Sequence, residues 1–385
     1  MTNFTKNLSS PPMRLRTNLS PFSTLVVKIG SRILAPEGAE LPLQRIRSLV
    51  DDVVALKRQG VRVVLVSSGA IAHGMAVLGF ARRPFDIPLQ QACASIGQFK
   101  LMRTYESYFE AHDIHIGQVL LSWDDLHNKT RYLNLRNTLF TLLECGAVPI
   151  VNENDSVGIE EIKFGDNDTL GAQIAMVAQA EVYLILTDVD GLFAGNPHTD
   201  SGARHIAEAP KITRELKALA SGTGSAVGTG GMITKLKAAD IVTRAGMIAL
   251  IGNGIDGGIL SSITRENKST IFLPQRRKMN ARDQWIAFTG KSKGTLHIDA
   301  GACSAILDKG KSLLPAGICK IAGTFKTGDT VEIAGSQGAV IARGLTNYSS
   351  GEIELIRGYR TADIESKLGY KSFDEVIHRN NMVLL

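Results

Sequence analysis

Two lysines lie beside glycines in settings that suit the binding of a phosphate group. Lys28 is part of the apolar run 26–29 and is followed by a glycine and a serine. A buried ammonium group is costly without a partner, so Lys28 either reaches water from an edge strand or binds an anion; the residues after it favour the anion. Lys235 follows the glycine-rich segment 228–231, whose backbone N–H groups could hold a phosphate at the start of a helix. The alternative for 228–231 is a flexible loop.

Short polar side chains follow the other apolar, strand-like segments of the first 272 residues. They stand at 67–69 (Ser-Ser-Gly), 152–155 (Asn-Glu-Asn-Asp) and 187–188 (Thr-Asp), and the run 166–168 (Asp-Asn-Asp) precedes a helix. Ligands of open parallel sheets bind beyond the carboxyl ends of the strands, so we expect these segments to line one site. One helix cap needs only one of the three capping-type residues at 166–168, so an acid there could instead hold Mg²⁺ or fix a lysine ammonium group.

The order of these segments predicts an α/β fold with a mostly parallel sheet sandwiched by helices. Continuous apolar runs alternate with stretches of helical periodicity, which is typical of parallel strands covered on both faces. Predicted strands cover 24–29, 61–67, 116–121, 147–151, 182–186 and 247–251, and predicted helices cover 43–56, 133–145, 169–178 and 232–245. A (β/α)₈ barrel is the alternative, and the uneven spacing of the strands counts against it.

After residue 272 the pattern changes to that of a second, smaller domain. Short strand-like pieces at 295–298, 330–333 and 340–342 are separated by glycine-rich turns, as in small β-rich, barrel-like domains. We predict a first domain over 24–274, a basic linker over 275–292, a β-rich domain over 293–371 and a C-terminal tail over 372–385. Residues 1–23 are rich in Ser, Asn, Thr and Pro and are predicted to be a disordered extension. A transit peptide is the alternative, which the prolines in this segment disfavour.

Composition and charge exclude several classes of protein. The chain has 385 residues with 44% apolar and 21% charged side chains, and charges interrupt every apolar run too early for a membrane span. Its four cysteines lie far apart, which predicts reduced thiols in a cytoplasmic protein. The net charge of +6 comes from two basic segments, 1–36 and 273–311, so it does not by itself indicate binding to nucleic acid, although the second segment could contact one.

Six motifs, taken together and in order, resemble the amino acid kinase family over about residues 24–380. The motifs are VVKIGS (26–31), SSGAI (67–71), VNENDSV (151–157), KFGDND (163–168), LTDVDGL (186–192) and GTGGMITK (228–235). The runs SLLPAGI (312–318) and GDTVEI (328–333) resemble the PUA domain. The resemblance implies an amino acid kinase fold followed by a PUA barrel. It also implies ATP-dependent phosphorylation of the L-glutamate side-chain carboxylate, the first step of proline biosynthesis, with Mg²⁺ as a cofactor.

The resemblance further implies a role for each matching residue. Lys28 and Lys235 would contact the ATP phosphates from opposite sides, and Asp168 would orient both lysines. The glutamate-binding set would be Ser68, Asp155, Asn167 and Asn152. The ATP-binding set would be Lys28, Gly30, Ser31, Gly69, Thr187, Asp188, Thr229, Gly230, Gly231, Met232, Ile233, Thr234 and Lys235. Feedback inhibition by proline and a homo-oligomer, either a dimer or a tetramer, are implied in the same way.

The chemistry of the implied reaction agrees with these residue types. A carboxylate is already ionised at pH 7 and needs no general base, but it must approach the anionic γ-phosphoryl group. Cations must offset that repulsion, and two lysines with Mg²⁺ would do so. Two alternatives stay open: another acceptor such as aspartate or N-acetylglutamate, and an RNA-binding role through the PUA domain and the basic segment before it.

Overall fold

The computed structural model describes residues 15–16, 19–35, 42–158, 167–195, 202–221, 231–256, 258–275, 278–335 and 338–385. The chain forms two compact units, of which the first comprises residues 1–125 and 130–278 and the second comprises residues 126–129 and 279–385. Within the described ranges, no helix is both long enough and apolar enough to cross a membrane.

A mostly parallel sheet forms the centre of the first unit. Its strands are β1 (Thr24–Ile29), β2 (Arg62–Val66), β3 (Ile116–Leu121), β4 (Val148–Glu153) and β5 (Val182–Thr187), with a short hairpin of β6 (Leu192–Phe193) and β7 (His205–Ile206), then β8 (Glu208–Ala209), β9 (Ile248–Asn253) and β10 (Ser269–Phe272). The sheet order is β3-β4-β2-β1-β5-β9-β10-β8. Every neighbouring pair is parallel except β9 and β10. The predicted α/β fold is confirmed.

Helices lie between these strands along the chain, and several of them pack against the sheet. They are α1 (Leu43–Arg58), α2 (Ala70–Leu78), α3 (Ile87–Glu110), α4 (Trp123–His127), α5 (Lys129–Glu144), α6 (Asn167–Val177), α7 (Arg214–Ser221), α8 (Met232–Arg244) and α9 (Gly258–Thr264). The β1 residues Leu25, Val27 and Ile29 share one apolar core with residues of α1 and α3. Side chains alternate along a strand, so Lys28 faces the opposite side of the sheet. Helix α6 contacts β1 and also packs against α8.

Two helices near the site were not predicted from the sequence. Helix α3 is the longest helix of the described chain, and it packs closely against α2. A Cβ atom at Gly74 of α2 would come within 1.8 Å of the Cys93 carbonyl oxygen, and one at Gly97 of α3 would come within 1.8 Å of the Ala70 carbonyl oxygen. Glycine at both positions therefore allows the two backbones to touch. Strand β4 also runs past the predicted end at 151, so that Asn152 belongs to the strand.

Part of the predicted disordered extension is packed into the first unit. Arg16 and Leu19 are both buried. The Arg16 guanidinium donates hydrogen bonds to the Ser269 hydroxyl (2.8 Å) and to the Ala207 carbonyl oxygen (2.9 Å). These bonds tie the segment to β10 and to the residue before β8, so the prediction of disorder over 1–23 does not hold for these residues. The proline-rich, polar composition of this segment predicts disorder and gives no sign that Leu19 and Arg16 are buried.

A five-stranded sheet forms the centre of the second unit. Its strands are β11 (Gly294–Ile298), β12 (Ile318–Gly323), β13 (Thr330–Ala334), β14 (Val340–Leu345) and β15 (Met382–Leu384), in the order β12-β11-β13-β14-β15. Its helices are α10 (Ala281–Gln284), continued by a π-helix over Trp285–Thr289, then α11 (Ala300–Leu307), α12 (Ser350–Ile356) and α13 (Ile364–Leu368). Short 3₁₀ turns lie at Glu266–Lys268 in the first unit and at Pro315–Gly317, Thr361–Asp363 and Arg379–Asn381 in the second.

Two segments assigned from sequence to a linker and a tail belong to this second unit. Within the predicted linker 275–292, the helical stretch from Ala281 buries Trp285 and Ile286. Within the predicted tail 372–385, β15 pairs antiparallel with β14 and Val376 is fully buried. The linker is dominated by polar and basic residues, and the short edge strand in the tail has no periodicity long enough to be recognised.

Candidate active site

One carboxylate holds two lysines together at the carboxyl end of β1. Lys28 Nζ lies 2.7 Å from Asp168 Oδ1, and Lys235 Nζ lies 3.4 Å from Asp168 Oδ2. Lys28 comes from β1, Asp168 from the first turn of α6 and Lys235 from the first turn of α8. All three are buried, with exposed fractions of 5%, 1% and 5%. The structure therefore brings together residues that are distant in the sequence.

The charges in this cluster are strongly coupled. Burial opposes the ionisation of Asp168, but the charges of Lys28 and Lys235, with hydrogen bonds from Lys28 and Thr234, outweigh it and lower its pKa to about 2. Burial lowers the pKa of Lys235, and the negative charge of Asp168 opposes that shift. Two ammonium groups on one carboxylate leave a net positive charge in a buried place, which suits the binding of a multiply charged anion.

Thr234 links this cluster to the start of α8. Its hydroxyl lies 2.7 Å from Asp168 Oδ2 and 2.8 Å from the Gly231 carbonyl oxygen. The first turn of α8 follows Gly231 and contains Met232, Ile233, Thr234 and Lys235. The Ile233 side chain is exposed. The predicted ATP-binding residues Thr229 and Gly230 lie outside the described residues, as does Asp166.

The predicted glutamate-binding amides and hydroxyl form a second cluster beside the first. Asn167 Nδ2 donates to the Ser67 carbonyl oxygen (2.9 Å), to Ser68 Oγ (2.9 Å) and to Asn152 Oδ1 (3.2 Å). Ser68 and Asn152 are buried. Because Asn167 immediately precedes Asp168, this cluster adjoins the two lysines.

Asp155 lies on the wall of a cavity of about 220 Å³ next to these groups. The last residue of β4, Glu153, lines it together with Asn154, Asp155 and Ser156 of the following segment, and α3 lines it with residues that include Gln98. Ala70, the first residue of α2, also lines it. Carboxylates, amides and a hydroxyl on one wall can bind the ammonium and carboxylate groups of a small amino acid.

Two glycine turns lie where β1 and β2 end. The Gly30 N–H donates to the Leu186 carbonyl oxygen (3.0 Å), which holds the chain beside β5, and Ser31 follows it exposed to solvent. Gly69 has φ of +90° and forms the N-cap of α2. A residue with a Cβ atom is strained in that conformation, so glycine is required at this turn.

Thr187 is the last residue of β5 and Asp188 follows it; both are predicted to contact the nucleotide. Thr187 Oγ1 donates to Asp188 Oδ1 (2.9 Å), and Arg32 Nη1 forms an ion pair with Asp188 Oδ2 (2.5 Å). Burial opposes ionisation of Asp188, and the hydrogen bonds from Arg32 and Thr187 outweigh it and lower the pKa of Asp188. Arg32 remains more than half exposed.

Sequence reasoning named neither Arg32 nor Gln98 as a site residue. Arg32 stands directly after Gly30 and Ser31, and a cation next to a glycine turn was a usable signal. Gln98 lies in α3, which carries no motif, and nothing in the sequence indicates that it faces residues after β4.

Comparison with known proteins shows the family to which the chain belongs. The profile described as "Amino acid kinase family" matches residues 23–253, and the profile described as "PUA domain" matches residues 294–368. Glutamate 5-kinase from Syntrophotalea carbinolica is 47% identical over 367 residues, which cover 95% of this chain and 98% of that protein. Glutamate 5-kinase from Citrifermentans bemidjiense is 45% identical over 368 residues, covering 95% and 99%. The chain therefore belongs to the amino acid kinase family and, within it, groups with the glutamate 5-kinases.

Proposed function

We propose that this chain transfers the γ-phosphoryl group of ATP to the side-chain carboxylate of L-glutamate. The observation that carries the proposal is the buried cluster of Lys28 and Lys235 on Asp168, which hydrogen-bonded amides connect to a cavity of about 220 Å³. The reaction named for the relatives, glutamate 5-kinases that align over nearly their whole length, supports the same conclusion.

The residues of the site suit a reaction between two anions. The attacking carboxylate is ionised at neutral pH, so the enzyme has no proton to remove. Its task is to hold carboxylate and phosphoryl group together and to neutralise the charge that builds up during transfer. At about 4 Å and an effective dielectric constant near 20, each charge pair is worth about 4 kcal/mol. Lys28 and Lys235 supply the two positive charges, and Asp168 holds both in place until the triphosphate binds.

Magnesium is proposed to enter as part of the substrate MgATP. Among the described residues, no group of three or more His, Cys, Asp or Glu side chains could hold a metal ion. Mg²⁺ is commonly bound through substrate phosphates with few protein ligands, so the absence of such a group in the described ranges is compatible with MgATP as the donor.

Further parts of the proposal rest on the resemblance to the amino acid kinase family and, for the last of them, on the scattered cysteines. They are an entry into proline biosynthesis, feedback inhibition by proline, a homo-oligomeric state and a cytoplasmic location. Each can be examined with the purified chain or by fractionation of the source cells.

The decisive experiment measures acyl phosphate formation with competing acceptors. The purified full chain is incubated with MgATP and L-glutamate, L-aspartate or N-acetyl-L-glutamate, and the product is trapped with hydroxylamine. Glutamate should give the largest kcat/KM, and a preference for another acceptor would refute the assigned substrate. Lys235→Met should lower kcat at least ~10²-fold with the fold intact, as judged by circular dichroism. Lys237→Met, an exposed lysine of the same helix, is the matched control and should leave kcat unchanged.

The second experiment separates the two substrates. Asp155→Ala should raise KM for glutamate at least ~10-fold and change KM for ATP by less than about twofold, because Asp155 lies on the cavity wall. Equal losses for both substrates would contradict the assigned pocket.

A further inference from the structure

Three side-chain amides form a directed chain of hydrogen bonds that leads away from the lysines. Asn167 Nδ2 donates to Asn152 Oδ1 (3.2 Å), and Asn152 Nδ2 donates to Gln98 Oε1 (2.8 Å). Asn167 adjoins Asp168, which contacts both lysines, so Gln98 stands at the far end of the chain. Three elements contribute, since Asn167 begins α6, Asn152 lies in β4 and Gln98 lies in α3.

Backbone groups fix the direction of every amide in this chain. Asn167 Nδ2 also donates to the Ser67 carbonyl oxygen (2.9 Å), which can only accept. Asn152 Oδ1 also accepts from the Glu153 backbone N–H (3.0 Å), which can only donate. Asn152 must therefore donate from its Nδ2 to Gln98, and Gln98 must accept with its Oε1. The Gln98 nitrogen, Nε2, is left as the free end of the chain.

This nitrogen is a buried donor without a partner among the described residues. Gln98 is only 8% exposed and lines the same cavity as Asp155. A buried donor that lacks an acceptor is costly, and such groups in native proteins call for an explanation. A ligand that places an acceptor oxygen in the cavity would give this donor its hydrogen bond and so explain it.

We propose that Gln98 is a specificity-determining residue, whose Nε2 donates a hydrogen bond to the α-carboxylate of the amino acid substrate. This inference rests on the proposed function and names which end of the substrate lies at α3. Glutamate offers acceptor oxygens only through its two carboxylates, because its ammonium group only donates. The reacting carboxylate belongs beside Lys28 and Lys235, so the α-carboxylate is the one left for Gln98. The substrate ammonium group then lies near the acidic side chains of the cavity wall, which include Asp155.

The test compares substrates that lack one group at a time. Glutarate keeps both carboxylates and lacks the ammonium group, whereas γ-aminobutyrate keeps one carboxylate and the amine and lacks the α-carboxylate. kcat/KM is measured for L-glutamate, glutarate and γ-aminobutyrate with wild type, Gln98→Met and Gln98→Glu. Where turnover of an analogue is too slow, its inhibition constant against glutamate takes the place of kcat/KM. Gln91→Met, in the same helix and outside the cavity lining, is the matched control.

The expected result is a loss that depends on the α-carboxylate. Gln98→Met should lower kcat/KM for glutamate and for glutarate by the same factor, at least ~10-fold, and change that for γ-aminobutyrate and KM for ATP by less than about twofold. Gln98→Glu keeps the oxygen that accepts from Asn152 and adds a negative charge, so its loss with glutamate should be larger. Gln91→Met should behave as wild type.

Two results would overturn the assignment of Gln98. Equal losses for all three substrates would show that Gln98 only supports the shape of the site, and a loss below about twofold with glutamate would show that its amide does not contact the substrate. Should Gln98→Met lower the melting temperature, Gln98→Glu decides, because it retains the bond to Asn152. Failure of the wild type to phosphorylate glutamate would instead refute the proposed function, and the two failures are distinguishable.

Discussion

Asp168→Asn removes the negative charge that lies between the two buried lysines, without changing the size of the side chain. The variant keeps an oxygen that can accept from one lysine, but it leaves two ammonium groups with no counter-charge in the cluster. Coulomb's law at an effective dielectric constant of 20 gives about 6 kcal/mol for the pair at 2.7 Å and about 5 kcal/mol for the pair at 3.4 Å. These values are upper bounds, because water and neighbouring groups relax around the change.

Measured losses for breaking a buried ion pair are about 3–5 kcal/mol. Burial already lowers the pKa of Lys235, and Asp168 is the main group that raises it. We therefore expect the pKa of Lys235 to fall further in Asp168→Asn, because the negative charge that raises it is gone, and kcat at pH 8 to fall at least ~10²-fold because one cation is lost or misplaced.

The assay is the pH dependence of kcat/KM for ATP, which reports groups of the free enzyme. A lysine with a lowered pKa loses its proton earlier as the pH rises. The alkaline decline of kcat/KM should therefore move to lower pH in Asp168→Asn, and the deficit relative to wild type should shrink as the pH is lowered towards 6. Rates are read from the hydroxylamine-trapped product in buffers of constant ionic strength.

Two controls separate this reasoning from a general loss of structure. Thr234→Val removes the hydroxyl beside Asp168 Oδ2 but no charge, so it should lower kcat/KM by about tenfold or less without moving the alkaline decline. Asp113→Asn makes the same replacement at an exposed position and should leave kcat/KM and its pH dependence unchanged. An alkaline decline in Asp168→Asn at the wild-type pH, or near wild-type turnover at pH 8, would refute the proposed coupling.

Three further predictions concern stability. Burial raises the pKa of Asp52 to about 6, so the wild type is stabilised at low pH and loses this contribution as the pH rises through 6. Between pH 4 and 7 the free energy of unfolding in urea should therefore fall by about 2–3 kcal/mol more in the wild type than in Asp52→Asn, which has no carboxyl group to ionise. The same pH profile in both proteins would contradict this. Arg16→Met should lower the free energy of unfolding by about 1–3 kcal/mol, because the hydrogen bonds from the buried guanidinium to the Ser269 hydroxyl and the Ala207 carbonyl oxygen are lost; equal urea midpoints would show that the N-terminal segment does not stabilise the unit. Gly69→Ala should lower the free energy of unfolding by about 1–2 kcal/mol, the cost of a left-handed alanine, since its Cβ meets only ordinary contacts. An unchanged melting temperature would refute the required conformation.

The strand ends of the first unit could be predicted because parallel strands are buried on both faces. Such strands appear in the sequence as continuous apolar runs, and the polar residues after them stand out. Lys28, Asn152 and Asp188 were all found in this way. The ligand side of a parallel sheet follows from topology, so their approach to one another was also predictable. The distances within the cluster around Asp168 were not, because they depend on how α6 and α8 pack.

Helices α2 and α3 could not be predicted for a different reason. Helix α3 buries residues on more than one side, including Cys93, Gly97 and Leu101, so its apolar residues do not form one clear stripe. Its contact with α2 depends on Gly74 and Gly97, and nothing in a single sequence indicates that these two glycines meet. Contacts of this kind are specified by three-dimensional packing and leave no local pattern.

The two halves of the candidate site therefore differ in how they are built. The lysines and Asp168 are placed by a strand end and two helix starts, which are features of the fold that recur wherever such a sheet binds a phosphate. Gln98 is placed by the contact of α3 with α2, where Gly97 lies against Ala70 and Ala70 itself lines the cavity. A change in helix packing can alter the groups that face the acceptor while the strand ends that hold the lysines stay in place. Selection among acceptors is thus expected to reside in α2 and α3, whereas phosphoryl transfer resides at the strand ends, and the substrate comparison with Gln98→Met examines that division directly.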